Sequence, residues 1–357
     1  MVHLTKLLQI GKVTSGLPWR ILFFGTDRFA ISSLKALIEN SRGSGSIVKL
    51  VDVVCSPERR RGRIIKNGES VDTVRDFSVN HNIPIYHWRG KQGWEPHKEP
   101  PGPYDIGVVA SFGHLIPNHV LDMFPCGSIN IHPSLLPQWK GASPISHAIL
   151  SGAKETGVSI VEVSRDRFDA GQCLLQQIHK IPEDIMFDDL CDELAILGTR
   201  MLMYTLGNLD TLRRNPSVQR PELKTSWARR LTKEAGYIDW THNNWLNIRR
   251  KWNALSSRFG VRTSWEGQKV KLIKMSKEFL SLTAEEKSST VPGEVKFDRG
   301  REMLFIRCQD GWVGVMELQF ETKTVITARD FFNSYLQISH LKGSTKKYFQ
   351  NLPCEER

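Results

Sequence analysis

The chain has 357 residues, 40% hydrophobic and 24% charged, and no apolar run approaching the roughly 18 to 20 residues that span a bilayer. A soluble protein of two domains is therefore expected, and six cysteines without a C-x-x-C pair exclude a zinc framework or a disulfide scaffold and point to a reduced compartment and no structural metal. The net charge of +11 is local: Arg213 to Lys277 holds 16 Lys plus Arg against 4 Asp plus Glu, leaving 33 of the 49 basic and 34 of the 38 acidic residues elsewhere.

The N-terminus carries no acid before Asp27, while Lys6, Lys12 and Arg20 are basic and Leu4, Leu7 and Leu8 can share one helical face. Residues 1–19 thus have the pattern of a mitochondrial targeting segment rather than a secretory signal; an unstructured cytosolic tail is the alternative. From Arg20 to Leu209, short apolar runs alternate with helical spacing. Ile21 to Phe24, Val48 to Val54, Ile106 to Ala110 and Ser128 to Ile131 read as strands. Arg28 to Glu39, Val71 to Asn80 and Pro117 to Met123 read as the helices between them. This is α/β architecture with a mostly parallel sheet. Gly25 to Ala30 lacks the G-x-G-x-x-G spacing of a dinucleotide site, so Gly25 is expected in a close-packed strand-to-helix turn.

Val158 to Val163 and Leu174 to Lys180 read as a strand pair, and Met186 to Leu209 as one long helix with Leu190, Leu194, Leu197, Met201 and Leu202 inward. The segment Arg213 to Ser226, with Pro216 and Pro221, reads as a basic linker. Val270 to Ile273, Gly293 to Val295, Met303 to Cys308 and Trp312 to Leu318 then predict a small β-barrel. The basic stretch that spans linker and barrel is either a polyanion surface or a solvated face.

A parallel sheet binds ligands at the carboxyl ends of its strands. Strand alternation puts Asn130 and His132 on one face at such an end, with Ile131 turned inward. By spacing alone the pair is either a hydrogen-bonded structural pair or a site.

Three ordered elements decide between these readings. Ser128-Ile129-Asn130-Ile131-His132-Pro133-Ser134-Leu135-Leu136-Pro137, then Trp139-Lys140-Gly141-Ala142-Ser143-Pro144, then Phe168-Asp169-Ala170-Gly171, together resemble the signature of the folate-dependent formyltransferases. The resemblance implies a catalytic set of Asn130, His132 and Asp169. It also implies a folate site shaped by Ser111, Phe112 and Gly113 and by Ser134, Leu135, Leu136 and Pro137. Attack of an amine on a formyl carbon puts negative charge on oxygen, which Asn130 and a protonated His132 can stabilise, while Asp169 orients the ring or helps move the amine proton. No metal is implied.

The remainder of the chain bears on the acceptor. Leu231-Thr232-Lys233-Glu234, Ile238-Asp239-Trp240, Gly267 to Lys271, Val291-Pro292-Gly293 and Asp310-Gly311-Trp312 resemble the C-terminal domain of methionyl-tRNA formyltransferases. A ribonucleotide-acceptor or hydrolytic relative would need no such domain. The resemblance implies a Rossmann-like formyltransferase domain at 20–209, a basic linker at 210–226, an OB-like tRNA-binding barrel at 227–343 and a tail at 344–357. It implies a matrix enzyme, expected as a monomer, that moves the formyl group of 10-formyltetrahydrofolate onto initiator methionyl-tRNA. The tRNA contacts are expected from Arg59, Arg60, Arg61, Arg63 and Lys66 in a loop after the second strand, and from Arg213, Arg214, Arg249, Arg250 and Lys251.

Overall fold

The computed structural model describes residues 17–57, 65–66, 69–70, 73–90, 93–94, 98–216, 223–337 and 348–352. The expected targeting residues 1–16 and Arg59, Arg60, Arg61 and Arg63 lie outside them. In chain order the first elements are β1 (Trp19–Gly25), α1 (Arg28–Ser41), β2 (Val48–Cys55), the short strands β3 (Ile65–Lys66) and β4 (Glu69–Ser70), α2 (Val74–Asn80) and β5 (Ile85–His87). They are followed by β6 (Ile106–Ala110), α3 (Asn118–Leu121), β7 (Ser128–His132), α4 (Pro144–Ser151), β8 (Glu155–Glu162), β9 (Cys173–Lys180), α5 (Phe187–Gly207) and α6 (Leu209–Arg214).

Packing divides the chain into two units. One comprises residues up to Ile145, Lys154–Ile181 and Asp189–Arg229; the other comprises Ser146–Ala153, Pro182–Asp188 and Arg230–Arg357. The first unit is built on a seven-stranded sheet in the order β5-β2-β1-β6-β7-β8-β9. Strands β5, β2, β1, β6 and β7 pair in parallel, and β8 pairs antiparallel with both β7 and β9. Ile21, Leu22, Phe23 and Phe24 are all buried, as a strand covered on both faces requires. Asp27 caps α1 by accepting from the Phe29 amide, and Phe29, Leu34, Leu37 and Ile38 form its inward stripe. At Gly25 a Cβ would meet Phe23, Ala30 and the Ala110 carbonyl, so the turn into α1 is as tight as expected.

Three boundaries differ from the sequence expectation. Trp19 already belongs to β1, is buried, and donates its Nε1–H to the Leu206 carbonyl at 2.9 Å. The long helix ends at Gly207, and buried Leu209 anchors a separate helix, α6, that includes Arg213 and Arg214. Residues 349–350, within the expected tail, form a strand of the second unit.

That unit contains a 3-10 turn at Lys233–Gly236, α7 (Trp245–Leu255), β10 (Val261–Trp265), β11 (Gln268–Ser281), α8 (Ala284–Ser289), β12 (Val295–Asp298) and β13 (Met303–Arg307). It continues with β14 (Gly311–Phe320), β15 (Val325–Thr327), α9 (Ala328–Phe331), a π-helical turn at Phe332–Gln337 and β16 (Phe349–Gln350). The antiparallel strip runs β12-β13-β14-β11-β10-β16, with β15 on β14. A bridge between Glu294 and Tyr348 brings its two ends together, so the strip curls into a partly closed barrel. Trp240, Trp265, Phe320, Phe331 and Phe349 fill its core. Helix α7, which the sequence reading missed, is fixed by reciprocal capping between Asn244 and Asn247. Its apolar period is disguised because Arg249 and Asn253 occupy inward positions beside Ile248, Trp252 and Leu255.

Candidate active site

Strand order reverses between β1 and β6, since the chain moves out from β1 to β2 and β5 and returns to β6 on the other side. In open parallel sheets a ligand site is expected where the turns leaving the carboxyl ends diverge at such a reversal. Here Thr26, just after β1, joins the two turns by donating its hydroxyl to the Ser111 carbonyl at 2.5 Å. Ser56, after β2, meets His114 at 3.3 Å. The adjacent strand β7 ends in Asn130 and His132.

The loop between β8 and β9 carries Asp169 to these two residues. The loop can close because Gly171 lies directly against the Glu162 carbonyl, where no Cβ would fit. Asn130 Nδ2 donates to Asp169 Oδ1 at 3.3 Å, and His132 Nδ1 lies 3.4 Å from the same oxygen. Oδ2 of Asp169 accepts from the Gly141 amide at 2.8 Å. The His132 and Asp169 side chains are only 5% and 7% exposed. A carbonyl has no hydrogen to give, so His132 Nε2 donates to the Trp139 carbonyl, 3.0 Å away, which leaves Nδ1 to face the carboxylate.

Trp139 and Asp169 both adopt left-handed backbone, with φ of 56° and 52°. Aspartate tolerates this region better than tryptophan does, and such conformations persist where surrounding bonds over-determine them. Those bonds come from a distant segment: Trp139 N donates to Ser226 Oγ at 3.0 Å, Lys140 N to the Ser226 carbonyl at 2.9 Å, and Ala228 N to the Lys140 carbonyl at 2.7 Å. Neither the Trp139 carbonyl, the Gly141 amide nor the Ser226 pin was foreseen from sequence, although Trp139 and Gly141 lie within a quoted motif.

The residues assigned to a folate site divide. Ser111, Gly113 and Pro137 keep surface. Ser134, Leu135 and Leu136 are 0%, 1% and 0% exposed, and Phe112 is packed edge-on against Phe24. The Ser134 hydroxyl is spent on the Gln138 carbonyl, and the backbone of Ser134 and Leu136 is bonded to Ser159. These four are buried in the packing around the strand end, unlike Ser111, Gly113 and Pro137, a difference that spacing had not separated. Burial pushes the thiols of Cys55, at the end of β2, and Cys173 up to about 11, so neither is a thiolate at neutral pH.

The basic residues assigned to tRNA divide as well. Arg249 is 6% exposed and donates Nε to Asp184 at 3.1 Å, which withdraws it from any phosphate-facing surface. Arg213 bonds Glu162 and the Cys126 carbonyl. Lys251 donates to the Tyr237 carbonyl, and the Arg250 guanidinium lies against Gly152. Arg214 is exposed, as are Lys224, Arg229, Arg230, Lys233 and Lys274, which had not been singled out. Lys66 is in β3. Among the described residues no cluster of His, Cys, Asp and Glu is placed to hold a metal ion, and no helix is long and apolar enough to cross a membrane.

Residues 19–206 match the family model described as formyl transferase, and residues 230–336 match the formyl transferase C-terminal domain. A mitochondrial methionyl-tRNA formyltransferase of Rattus norvegicus is 33% identical over 331 residues, 92% of this chain and 81% of the relative. The methionyl-tRNA formyltransferase of Coxiella burnetii is 30% identical over 88% of this chain and 95% of its own length. The crystal structure of HypX from Aquifex aeolicus in complex with tetrahydrofolic acid shares the fold, with a TM-score of 0.53 at 19% identity over 95% of this chain. The chain spans about half the length of that protein.

Proposed function

The chain belongs to the methionyl-tRNA formyltransferase family, and from that premise we propose that it transfers the formyl group of 10-formyltetrahydrofolate to the α-amine of initiator methionyl-tRNA. One observation carries the mechanism: an amide, an imidazole and a carboxylate converge at the carboxyl end of β7 beside the topological switch point. The folate donor supplies an activated formyl carbon held on nitrogen. Attack by the neutral amine forms the new C–N bond and pushes charge onto the formyl oxygen. Asn130 has two amide hydrogens, one committed to Asp169, and the other is available to that oxygen. Asp169, held by the Gly141 amide and flanked by His132 Nδ1, accepts the amine proton directly or through a water. The proton returns to the folate nitrogen as its bond to the formyl carbon breaks. An α-amine has a pKa of roughly 7.7 to 8.0, so a useful neutral fraction exists near pH 7.

Ser111, Gly113 and Pro137 form the exposed wall toward folate, with Phe112, Ser134, Leu135 and Leu136 beneath. The unit built on the seven-stranded sheet, which begins with β1 at Trp19 and takes in α6 and the segment to Arg229, acts as the catalytic domain, and the barrel from Arg230 on, β16 included, as the tRNA-binding domain, in a monomer. The Arg59 to Arg63 loop with Lys66 grips the acceptor end, because guanidinium forks bind phosphate and stack on unpaired bases. Arg214, Lys224, Arg229 and Arg230 join the phosphate-attracting surface.

The deciding experiment incubates the protein with formyl-folate and charged initiator tRNA. Formylmethionyl-tRNA is expected. Formate release without it would mark a hydrolase, and tRNA binding with neither product a non-catalytic scaffold. Residues 1–19 are proposed to direct the chain to the mitochondrial matrix. A reporter fused to them should enter mitochondria, and because Trp19 is buried in β1 the mature N-terminus should fall at or before it. A diffuse cytosolic signal would defeat this.

A further inference from the structure

Trp227 is 62% exposed, the most exposed of the large hydrophobic side chains among the described residues. A lone apolar residue at a surface is ordinary. This one differs in how its backbone is held and in what the backbone is held to. Ser226 N donates to the Pro137 carbonyl, Lys140 N to the Ser226 carbonyl, Ala228 N to the Lys140 carbonyl, and Ser143 N to the Ala228 carbonyl. Trp227 itself is the bridge partner of Lys140. The flanking residues face inward, Ser226 through its hydroxyl to Trp139 N and Ala228 fully buried, so period-2 alternation turns the indole outward on a rigid base.

The bridge partner lies at the centre of the proposed chemistry. Lys140 sits between Trp139, whose carbonyl fixes His132, and Gly141, whose amide fixes Asp169. Trp227 is thus one strand spacing, about 4.8 Å, across from the segment that sets the reacting groups. An amino acid esterified to a terminal ribose brings that nucleoside's base to within a few bonds of the amine. The base is unpaired and flat, and an exposed indole on a fixed backbone is a surface on which such a base stacks.

We propose that Trp227 is a positioning residue: a stacking platform for the base of the terminal nucleoside that carries the methionyl ester. This rests on the transfer to charged tRNA proposed above. It gives the segment that braces Trp139 and Lys140 a second task, to register the acceptor's last nucleoside with the reaction centre.

The test compares Trp227→Ala, Trp227→Leu and Trp227→Phe in the full chain. Trp227→Ala and Trp227→Leu should raise KM for charged tRNA about ten-fold, with kcat at saturation and KM for the formyl donor unchanged, and Trp227→Phe should restore most of the loss. Two small acceptors separate stacking from a general packing role. The alanine variant should lose kcat/KM with methionyl-adenosine and keep it with methionine methyl ester. Equal behaviour of Trp227→Leu and the parent, or equal losses with both small acceptors, would overturn the proposal. If the parent protein formylates none of these acceptors, the reading of the function fails instead.

Discussion

The carboxyl end of β7 and the helix α7 are both rich in polar and charged groups, yet they use them in opposite ways. At β7, Asn130, His132 and Asp169 face one another, and the bonds that hold them come mostly from backbone: the Trp139 carbonyl and the Gly141 amide. Backbone partners fix direction without consuming the chemistry of the side chains. Along α7, Arg249 is matched to the Asp184 carboxylate and Lys251 to the Tyr237 carbonyl, so the cations serve as anchors within their own unit. Polar residue types alone do not separate a reaction centre from a framework; their placement and the partners they meet do.

The largest effects should come from breaking the first region. His132→Ala and Asp169→Ala are each expected to remove most turnover while leaving tRNA binding nearly intact. Asn130→Ala should cost on the order of 10² to 10³ in rate, the usual consequence of removing an oxyanion donor. Rates are to be taken from single-turnover formylation beside a filter-binding titration. Full turnover by Asn130→Ala under chemistry-limited conditions would reduce that residue to framework and erase the contrast with α7.

A smaller effect sharpens the other side. Arg249→Ala should lower stability by about 1 to 2 kcal/mol in urea unfolding, since it removes a buried stem and an ion pair whose acidic partner can re-solvate. The salt dependence of tRNA binding should stay as it was. Reversing Lys224 and Arg230 to Glu should do the converse, flattening that dependence with stability held. If Arg249→Ala flattened the salt slope, the buried arginine would be reaching phosphate after all.

Much of the first region was legible because its signal is local. The motif around Asn130 and His132 names a strand end, and alternation alone puts both on one face. The β1 and β6 runs are apolar throughout, which fixes a buried parallel sheet. What escaped depends on distant chain. Ser226 lies 87 residues from Trp139, and no local pattern announces the bond between them. Ser134, Leu135 and Leu136 stand in the right motif, but their burial follows from Ser159 on the neighbouring strand and could not be counted from spacing. In α7 the inward arginine and asparagine hid the apolar period. The basic excess was visible in the sequence, but which of its members face water was not.

A third ion pair provides the smallest prediction and a control for both regions. Arg20, in β1, and Asp105, just before β6, join the amino ends of the two strands whose carboxyl ends border the proposed site. Arg20 Nη2 donates to Asp105 Oδ1 at 2.7 Å, and its Nε and backbone amide donate to Oδ2 at 3.1 and 2.8 Å. The side-chain bonds from Arg20 hold the Asp105 carboxyl below its usual range, although partial burial acts the other way. A depressed folded value means that the stabilisation is complete above the unfolded carboxylate value of about 3.9 and is lost as pH falls below it toward the folded value. Asp105→Asn should therefore lower stability only slightly at pH 7, because Arg20 is one-third exposed to screening water, and the gap from the parent should close in acid. Turnover at pH 7 should not change, because the pair lies at the far end of the sheet from Asn130 and His132. A stability gap that persisted unchanged below the folded value would mean that the pair acts through packing rather than charge, as α7 is argued to do in part.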